Sequence, residues 1–259
     1  MRRTMLVTTA LVLVLAGTAR AQDTTFSSSL IPNTPGAGSK LHLSIGGAAP
    51  ELTGAVPESL TLGLQRGFKL DVATIATRCD ASHATLGDCP AASRIGSGSA
   101  LVHASGLVNA DVPATIAVFL ADPVQAGDLA SVVLRVEAIG QARAVRARLL
   151  ALPSGPIGYE LLATGFASAI PAIPGVAIAL RGLVLDIGVR RNITTTVVKR
   201  VKVTRNGKRV TVRRKVKRKV RHDLIRNPKT CPGSWVARVT VRVAGTDRAR
   251  DVPIPCIAA

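Results

Sequence analysis

Aromatic residues are scarce in this chain of 259 residues, which holds four Phe, one Tyr and one Trp. The hydrophobic core must therefore be built mainly from the abundant aliphatic side chains. Sites for neutral sugars usually stack the sugar ring on an exposed aromatic face. Trp235 shares a strand period with apolar neighbours, and Tyr159 is the only other large amphipathic ring. The composition therefore argues against a sugar-binding module.

Familiar catalytic and metal-binding patterns are also missing. None of the four His residues sits beside another His or a carboxylate at a common metal-ligand spacing. The stretch GSGSA at 96–100 lacks the Gly-x-Ser-x-Gly order of a nucleophile elbow. The chain has neither a phosphate-binding loop nor a dinucleotide fingerprint. We therefore expect a protein that is not an enzyme and has no cofactor and no metal. The alternative is an enzyme or specific ligand binder whose site lies in the loops of its main domain.

The N-terminal stretch MRRTMLVTTALVLVLAGTARAQ is typical of a secretory signal peptide. Arg2 and Arg3 precede an apolar run at 6–17, and Ala19-Arg20-Ala21 supplies small residues for cleavage after Ala21. An uncleaved anchor is the alternative, but spanning a bilayer takes about 20 apolar residues. We predict a signal peptide at 1–21 and no transmembrane span in the mature protein. We expect the protein to be secreted, either released or associated with the cell wall.

The four cysteines are Cys79, Cys89, Cys231 and Cys256, and four cysteines allow three disulfide pairings. Their separations favour Cys79–Cys89 and Cys231–Cys256. A metal site in CDASHATLGDC, at 79–89, is the alternative, but its spacing matches no common zinc pattern. Export to an oxidising compartment favours disulfides.

Apolar residues mostly alternate with polar ones, as in half-buried strands. Gly and Pro clusters separate these runs, and short helical turns are expected only near 72–77 and 81–86. We predict an all-β fold, an antiparallel β-sandwich of jelly-roll-like or Greek-key type, at 39–259. A polar linker is expected at 22–38, and a disulfide-tied C-terminal hairpin at 231–256.

Two segments carry a resemblance to a known group of proteins. TRCDASHATLGDCPAASRIGSGSA and RNPKTCPGSWVARVTVRV resemble parts of uncharacterised secreted proteins of high-GC Gram-positive bacteria. In this chain and in those proteins, a Cys–Cys-Pro loop precedes a strand that begins with Ser-Arg-Ile-Gly-Ser-Gly, and an Asn-Pro-x-x-Cys element opens the last hairpin. The resemblance covers about a quarter of the chain and implies a secreted β-rich protein, but no activity.

Acidic residues are absent from 188–222, where 15 of the 34 basic residues lie. Outside this segment and the signal peptide, the chain has 16 basic and 15 acidic residues, so this part is nearly neutral. Asn206-Gly207 suits a two-residue type I′ turn. This turn would place Val203 opposite Val210, Val197 opposite Val216 and Ile193 opposite Val220. The sequence therefore predicts a long, protruding basic β-hairpin at 190–221.

We expect this arm to bind anionic cell-wall polymer or an anionic membrane surface, and nucleic acid only non-specifically, because no aromatic residue is there to stack on a base. A solvated arm without a partner, and self-assembly through its edges, are the alternatives. The predicted anion-binding residues are Lys199, Arg200, Lys202, Arg205, Lys208, Arg209, Arg213, Arg214, Lys215, Lys217, Arg218, Lys219 and Arg221.

Overall fold

The computed structural model describes residues 25–46, 57–106, 109–166, 176–205, 208–243 and 245–258. The predicted signal peptide lies outside these residues. The described chain is almost entirely β, which confirms the predicted fold class. Within it, no helix has the length and apolar character needed to cross a membrane.

Fifteen strands are formed by the described residues. The strands are β1 (Thr25–Ile31), β2 (Gly38–Gly46), β3 (Ser59–Gln65), β4 (Lys69–Leu70), β5 (Arg94–Gly106), β6 (Ala110–Ala121), β7 (Ala130–Ala138), β8 (Gln141–Ala151), β9 (Ile157–Thr164), β10 (Val176–Ile187), β11 (Arg190–Arg205), β12 (Lys208–Asp223), β13 (Ile225–Arg226), β14 (Ser234–Val243) and β15 (Thr246–Pro255). Short 3-10 turns at Val72–Thr74 and Ala91–Ser93 and one helix, α1 (Ala81–Leu86), complete the fold.

A meander of five antiparallel strands, β5 to β9, forms the middle of the large sheet. After β9 the chain returns so that β10 pairs with β5, the kind of return found in Greek-key folds. Strands β3, β14 and β15 extend the sheet beyond β9, and β2 and β1 extend it beyond β10. Strands β11 and β12 form a separate two-stranded sheet.

One aliphatic core joins nearly all strands of the large sheet. The alternation seen in the sequence is confirmed: Leu41, Leu43 and Ile45 are buried in β2. The sheet curls round this core so that β1 comes close to β15, where the Ser28 hydroxyl donates to the Pro253 carbonyl at 3.3 Å. The core thus lies between facing parts of the sheet, as in a β-sandwich.

The predicted polar linker at 22–38 is wrong for much of its described part. Residues Thr25–Ile31 form β1 and pair with β2, with Phe26 opposite Ile45. Phe26, Ser28 and Leu30 share the inward face, and Ser28 is small enough to be buried there beside Leu30. Serines occupy both inward and outward positions of this strand, so the sequence shows no clear alternation of apolar and polar residues. The segment therefore resembles a polar linker.

Both predicted disulfides are confirmed, with Cα–Cα distances of 5.1 Å for Cys79–Cys89 and 5.8 Å for Cys231–Cys256. The first encloses α1, whose first turn is capped by the Asp80 carboxylate. The second lies at the open end of the β14–β15 hairpin, which was predicted. The cysteines of the alternative metal site are therefore engaged with each other.

The β7–β8 turn places a β-branched side chain in a left-handed conformation. Ile139 has φ 51° and its side chain is 82% exposed, and Gly140 follows with φ 69°. Two-residue hairpin turns of this kind favour Asn or Gly, because a β-branched residue is strained at positive φ.

Replacing Ile139 with Asn should raise the free energy of unfolding by about 1 kcal/mol, because Asn tolerates the left-handed conformation. Urea unfolding measures the change. Val124→Asn is the control, since it also removes an exposed apolar side chain but not a positive φ. Equal effects in the two variants would contradict the strain argument.

Acid sensitivity should follow from a buried ion pair between β8 and the β6–β7 loop. The side chain of Asp128 is fully buried and accepts hydrogen bonds from Arg148 Nη2 at 2.6 Å and Nε at 3.0 Å. Chiefly through these hydrogen bonds, Arg148 lowers the pKa of Asp128 below its ordinary value of 3.8. The resulting stabilisation is present above that ordinary value and is lost as the pH falls through the lowered, folded-state pKa.

Asp128→Asn should therefore be less stable than the parent at neutral pH, and the difference should shrink below about pH 4. Urea unfolding across a pH series measures it. The control is Asp122→Asn, at an exposed aspartate nearby. A difference that stays constant down to pH 2 would exclude ionisation of Asp128 as its cause.

Candidate functional site: the basic ribbon

Strands β11 and β12, together called the basic ribbon, pair in the register that the sequence predicts. Val203 lies opposite Val210, Val197 opposite Val216 and Ile193 opposite Val220. The predicted turn at Asn206-Gly207 lies outside the described residues. Each strand has 16 residues, or about 50 Å at strand rise. Ordinary strands are less than half as long.

Strand alternation divides the side chains of the ribbon between two faces. One face, the valine face, carries apolar pairs such as Val201 with Val212 and Val197 with Val216. Lys199, Arg214 and Arg218 interrupt these pairs. The opposite face, the cationic face, carries a different set of described side chains: Asn192, Thr194, Thr196, Val198, Arg200, Lys202 and Thr204 from β11, and Arg209, Thr211, Arg213, Lys215, Lys217, Lys219 and Arg221 from β12.

Both faces are open to solvent over much of the ribbon. All the described cations between Lys199 and Arg221 are exposed. Val197 and Val216, although directly opposite each other, keep 40% and 36% of their surface exposed. This middle part of the valine face is therefore not closed over as a buried core would be. The cations are therefore available to bind a partner.

Like charges face each other across the ribbon, which opposes its formation. Lys199 lies opposite Arg214, and Arg200 opposite Arg213. Directly opposed like charges cost a few tenths to about 1 kcal/mol for each pair. An anion bound between such residues would offset this repulsion.

The base of the ribbon is held by a buried carboxylate among arginines. Asp223, whose side chain is 6% exposed, lies 2.9 Å from Arg190 Nε, 3.3 Å from Arg221 Nε and 3.9 Å from Arg226 Nη2. Arg190 also donates from Nη2 to the Gly38 carbonyl at 3.0 Å. This network joins both ribbon strands to β2 and β13.

A single negative charge cannot balance these three arginines, so the base of the ribbon keeps a positive charge. Lys40, Arg190 and Asp223 line a groove beside it. On another side of the base, the His222 imidazole lies 3.2 Å from the Asp71 carboxylate. The basic ribbon therefore remains cationic down to its junction with the large sheet.

The 13 predicted anion-binding residues are all on the ribbon, but they do not form one group. Eight of them are on the cationic face, and Lys199, Arg214 and Arg218 are on the valine face. Arg205 and Lys208 are paired positions at the far end of the ribbon. The prediction did not include Arg190, Arg226 and Lys40. Only Arg190 had a sequence signal, since it lies within the acid-free segment 188–222, whereas the other two reach the base through the pairing of β13 and β2.

Histidine–aspartate pairs are a second feature that the sequence spacing did not reveal. Every His contacts an Asp: the pairs are His42–Asp186 at 2.8 Å, His83–Asp80 at 2.8 Å, His103–Asp111 at 2.7 Å and His222–Asp71 at 3.2 Å. The hydrogen bond that the His83 ring donates to the Asp80 carboxylate raises the pKa of His83. Among the described residues, no three His, Cys, Asp or Glu side chains form a metal-binding group. Two of these pairs, His42–Asp186 and His222–Asp71, link elements that are distant in sequence.

Known proteins give no further assignment for this chain. Comparisons with protein-family models, curated proteins and solved structures found no match. The residues and geometry of the basic ribbon are therefore the features from which we infer a function.

Asp223→Asn should lower the free energy of unfolding by roughly 1–3 kcal/mol, because a buried amide cannot neutralise the adjoining arginines. Thermal or urea unfolding measures this loss. Asp251→Asn is the matched control, because Asp251 also binds an arginine, Arg238, but on the surface. A surface ion pair contributes little to stability. Equal, small losses in both variants would contradict a stabilising role for the Asp223 network.

Proposed function

We propose that this is a secreted, non-catalytic β-sandwich protein that binds anionic polymers at the cell surface or outside the cell through its basic ribbon. The observation that carries the proposal is the segregation of charge. The segment 188–222 holds 15 basic residues and no acidic one, and the described cations beyond Arg191 are exposed. Attraction of this kind requires neither a deep pocket nor a cofactor.

The strength of the electrostatic attraction depends on how many of the ribbon's cations engage at once. A Lys or Arg close to an anionic surface contributes about 1 kcal/mol, and the attraction fades over a Debye length of about 8 Å at physiological salt. If a third of the 13 cations between Lys199 and Arg221 engaged, the gross attraction would be about 4 kcal/mol. Losses of rotational and translational freedom reduce this value, so tight binding requires more of the cations to act together.

A polymer is favoured over a membrane as the partner. Insertion of the valine face into lipid would bury Lys199, Arg214 and Arg218 among the acyl chains, at a large desolvation cost. Nucleic acid would bind by its phosphates alone, because the ribbon has no ring to stack on a base. The two disulfides are compatible with an oxidising, extracellular environment.

Replacing residues 199–214 with Asn-Gly should strongly weaken binding to anionic polymer, because it removes eight of the 13 cations. The shortened ribbon keeps the Val197–Val216 and Ile193–Val220 pairs, so the rest of the protein should remain folded. Co-sedimentation with purified anionic wall polymer measures binding. Binding by the parent protein should be strong at low salt and mostly lost by about half-molar salt.

The control is a ribbon of full length in which every Lys between 199 and 219 becomes Arg and every Arg in the same range becomes Lys, while Arg190 and Arg221 of the Asp223 network are kept. It should keep most of the binding, since charge alone carries the attraction. Undiminished binding by the shortened protein, or binding that does not change with salt, would show that the basic ribbon is not the binding element.

A further inference from the structure

The cations of the basic ribbon are most regular along one strand and one face. On the cationic face of β12, five successive outward positions are all basic: Arg213, Lys215, Lys217, Lys219 and Arg221. Alternate residues of a strand are about 7 Å apart. With Arg209 beyond the gap at Thr211, this row of six cations, called the β12 track, extends about 40 Å.

Uncharged hydrogen-bonding groups accompany the track on the neighbouring strand. Thr196 lies opposite Lys217, Thr194 opposite Lys219 and Asn192 opposite Arg221. All three are exposed on the cationic face. The hydroxyl or amide beside each of these three cations can donate a second hydrogen bond to an anion that has two free oxygens. Lys215 and Arg213 lie opposite Val198 and Arg200 and have no such neutral donor across the strands.

The valine face has no comparable arrangement. Its described cations in the middle of the ribbon are Lys199, Arg214 and Arg218, and Val197, Val216 and their neighbours surround them. Lys199 and Arg214 oppose each other across the strands rather than following one strand. These cations add to the positive field but do not form a line.

We propose that the β12 track binds one extended phosphodiester polymer, with successive phosphates along the row and the Thr and Asn side chains of β11 bound to their second free oxygen. The inference rests on the proposed function and specifies its ligand and its face. A phosphodiester carries one negative charge in each repeat and two non-bridging oxygens, which matches a cation at each step and a neutral donor beside Lys217, Lys219 and Arg221. A small anion reaches only one or two steps of the track, so binding depends on the length of the polymer.

The test compares two triple variants that remove the same charge from the same part of the ribbon. The track variant is Arg213→Thr, Lys215→Thr and Lys217→Thr, and the control variant is Lys199→Thr, Arg214→Thr and Arg218→Thr. Threonine is favourable in strands and leaves the valine pairs intact. The control removes one more arginine than the track variant. Because arginine binds phosphate in a bidentate manner, this difference works against the proposal.

The probe is poly(glycerol phosphate), titrated at several salt concentrations. Each phosphate contact contributes about 0.7 to the slope of log affinity against log salt for a single-stranded polyanion. The slope for the track variant should therefore be smaller in magnitude by about 2. Its affinity at low salt should be lower than that of the parent by about 30-fold or more. The control should lose less than about 5-fold, with its slope nearly unchanged. Circular dichroism checks that both variants keep their strands.

A series of glycerol phosphate oligomers tests the linear arrangement. Affinity should rise with each unit up to about six, the number of cations in the track, and then level off. Affinity that is already maximal at two units would overturn the track and indicate a local anion site.

The two proposals can fail separately. Equal losses in the two triple variants, with binding abolished in the shortened ribbon, would overturn the track but leave the ribbon as the binding element. Full binding by the shortened ribbon would overturn both proposals. Phosphatidylglycerol vesicles form a second arm: if they bind more tightly than the polymer and Val197→Thr with Val216→Thr releases them, the ligand is a membrane and the track proposal is wrong.

Discussion

Strand alternation is the constraint on which the rest of this structure depends. With so few aromatic rings, the core gains its stability from many small aliphatic side chains, each of which must point inward. A slip of one residue in any strand would turn its whole apolar set to solvent. The register of each strand is therefore fixed by burial wherever the large sheet faces the core. The single Trp, Trp235, lies at this core beside Phe68.

The apolar residues of the basic ribbon alternate in the same way, but they are not closed over as the residues of the core are. The valines pair across the strands, but half-exposed pairs such as Val197 with Val216 contribute less than a closed core would. Repulsion between opposed cations further reduces the stability of the ribbon. A two-stranded sheet is only marginally stable by itself. Its attachment at the base, through Asp223 and the His222–Asp71 contact, is therefore important for its orientation.

Features set by local pattern were predictable from the sequence, and features set by tertiary pairing were not. The ribbon register followed from Asn206-Gly207 because one turn position determines every later pair, and the cysteine separations indicated the disulfides. Strand β1 was missed because serine can occupy either face of a strand. The order of the strands, two of the His–Asp pairs and the contact of Arg190 with Gly38 depend on residues that are about 140 to 190 positions apart in the chain. The periodic spacing of apolar residues in the sequence does not indicate which of these distant positions will be in contact.

The local pairing of acidic residues explains why the field of the ribbon is not cancelled by the rest of the protein. Many aspartates outside the ribbon each form an ion pair with one nearby cation, as Asp128 does with Arg148 and Asp251 with Arg238. The one acid of the ribbon, Asp223 at the end of β12, is buried and shared by three arginines. Opposite charges that are more than a Debye length away are screened by salt. Arg190 and Arg221 at the base share Asp223, whereas no acidic residue of the described protein pairs with the exposed cations from Lys199 to Lys219. A polyanion bound to these cations would relieve the repulsion between the two strands.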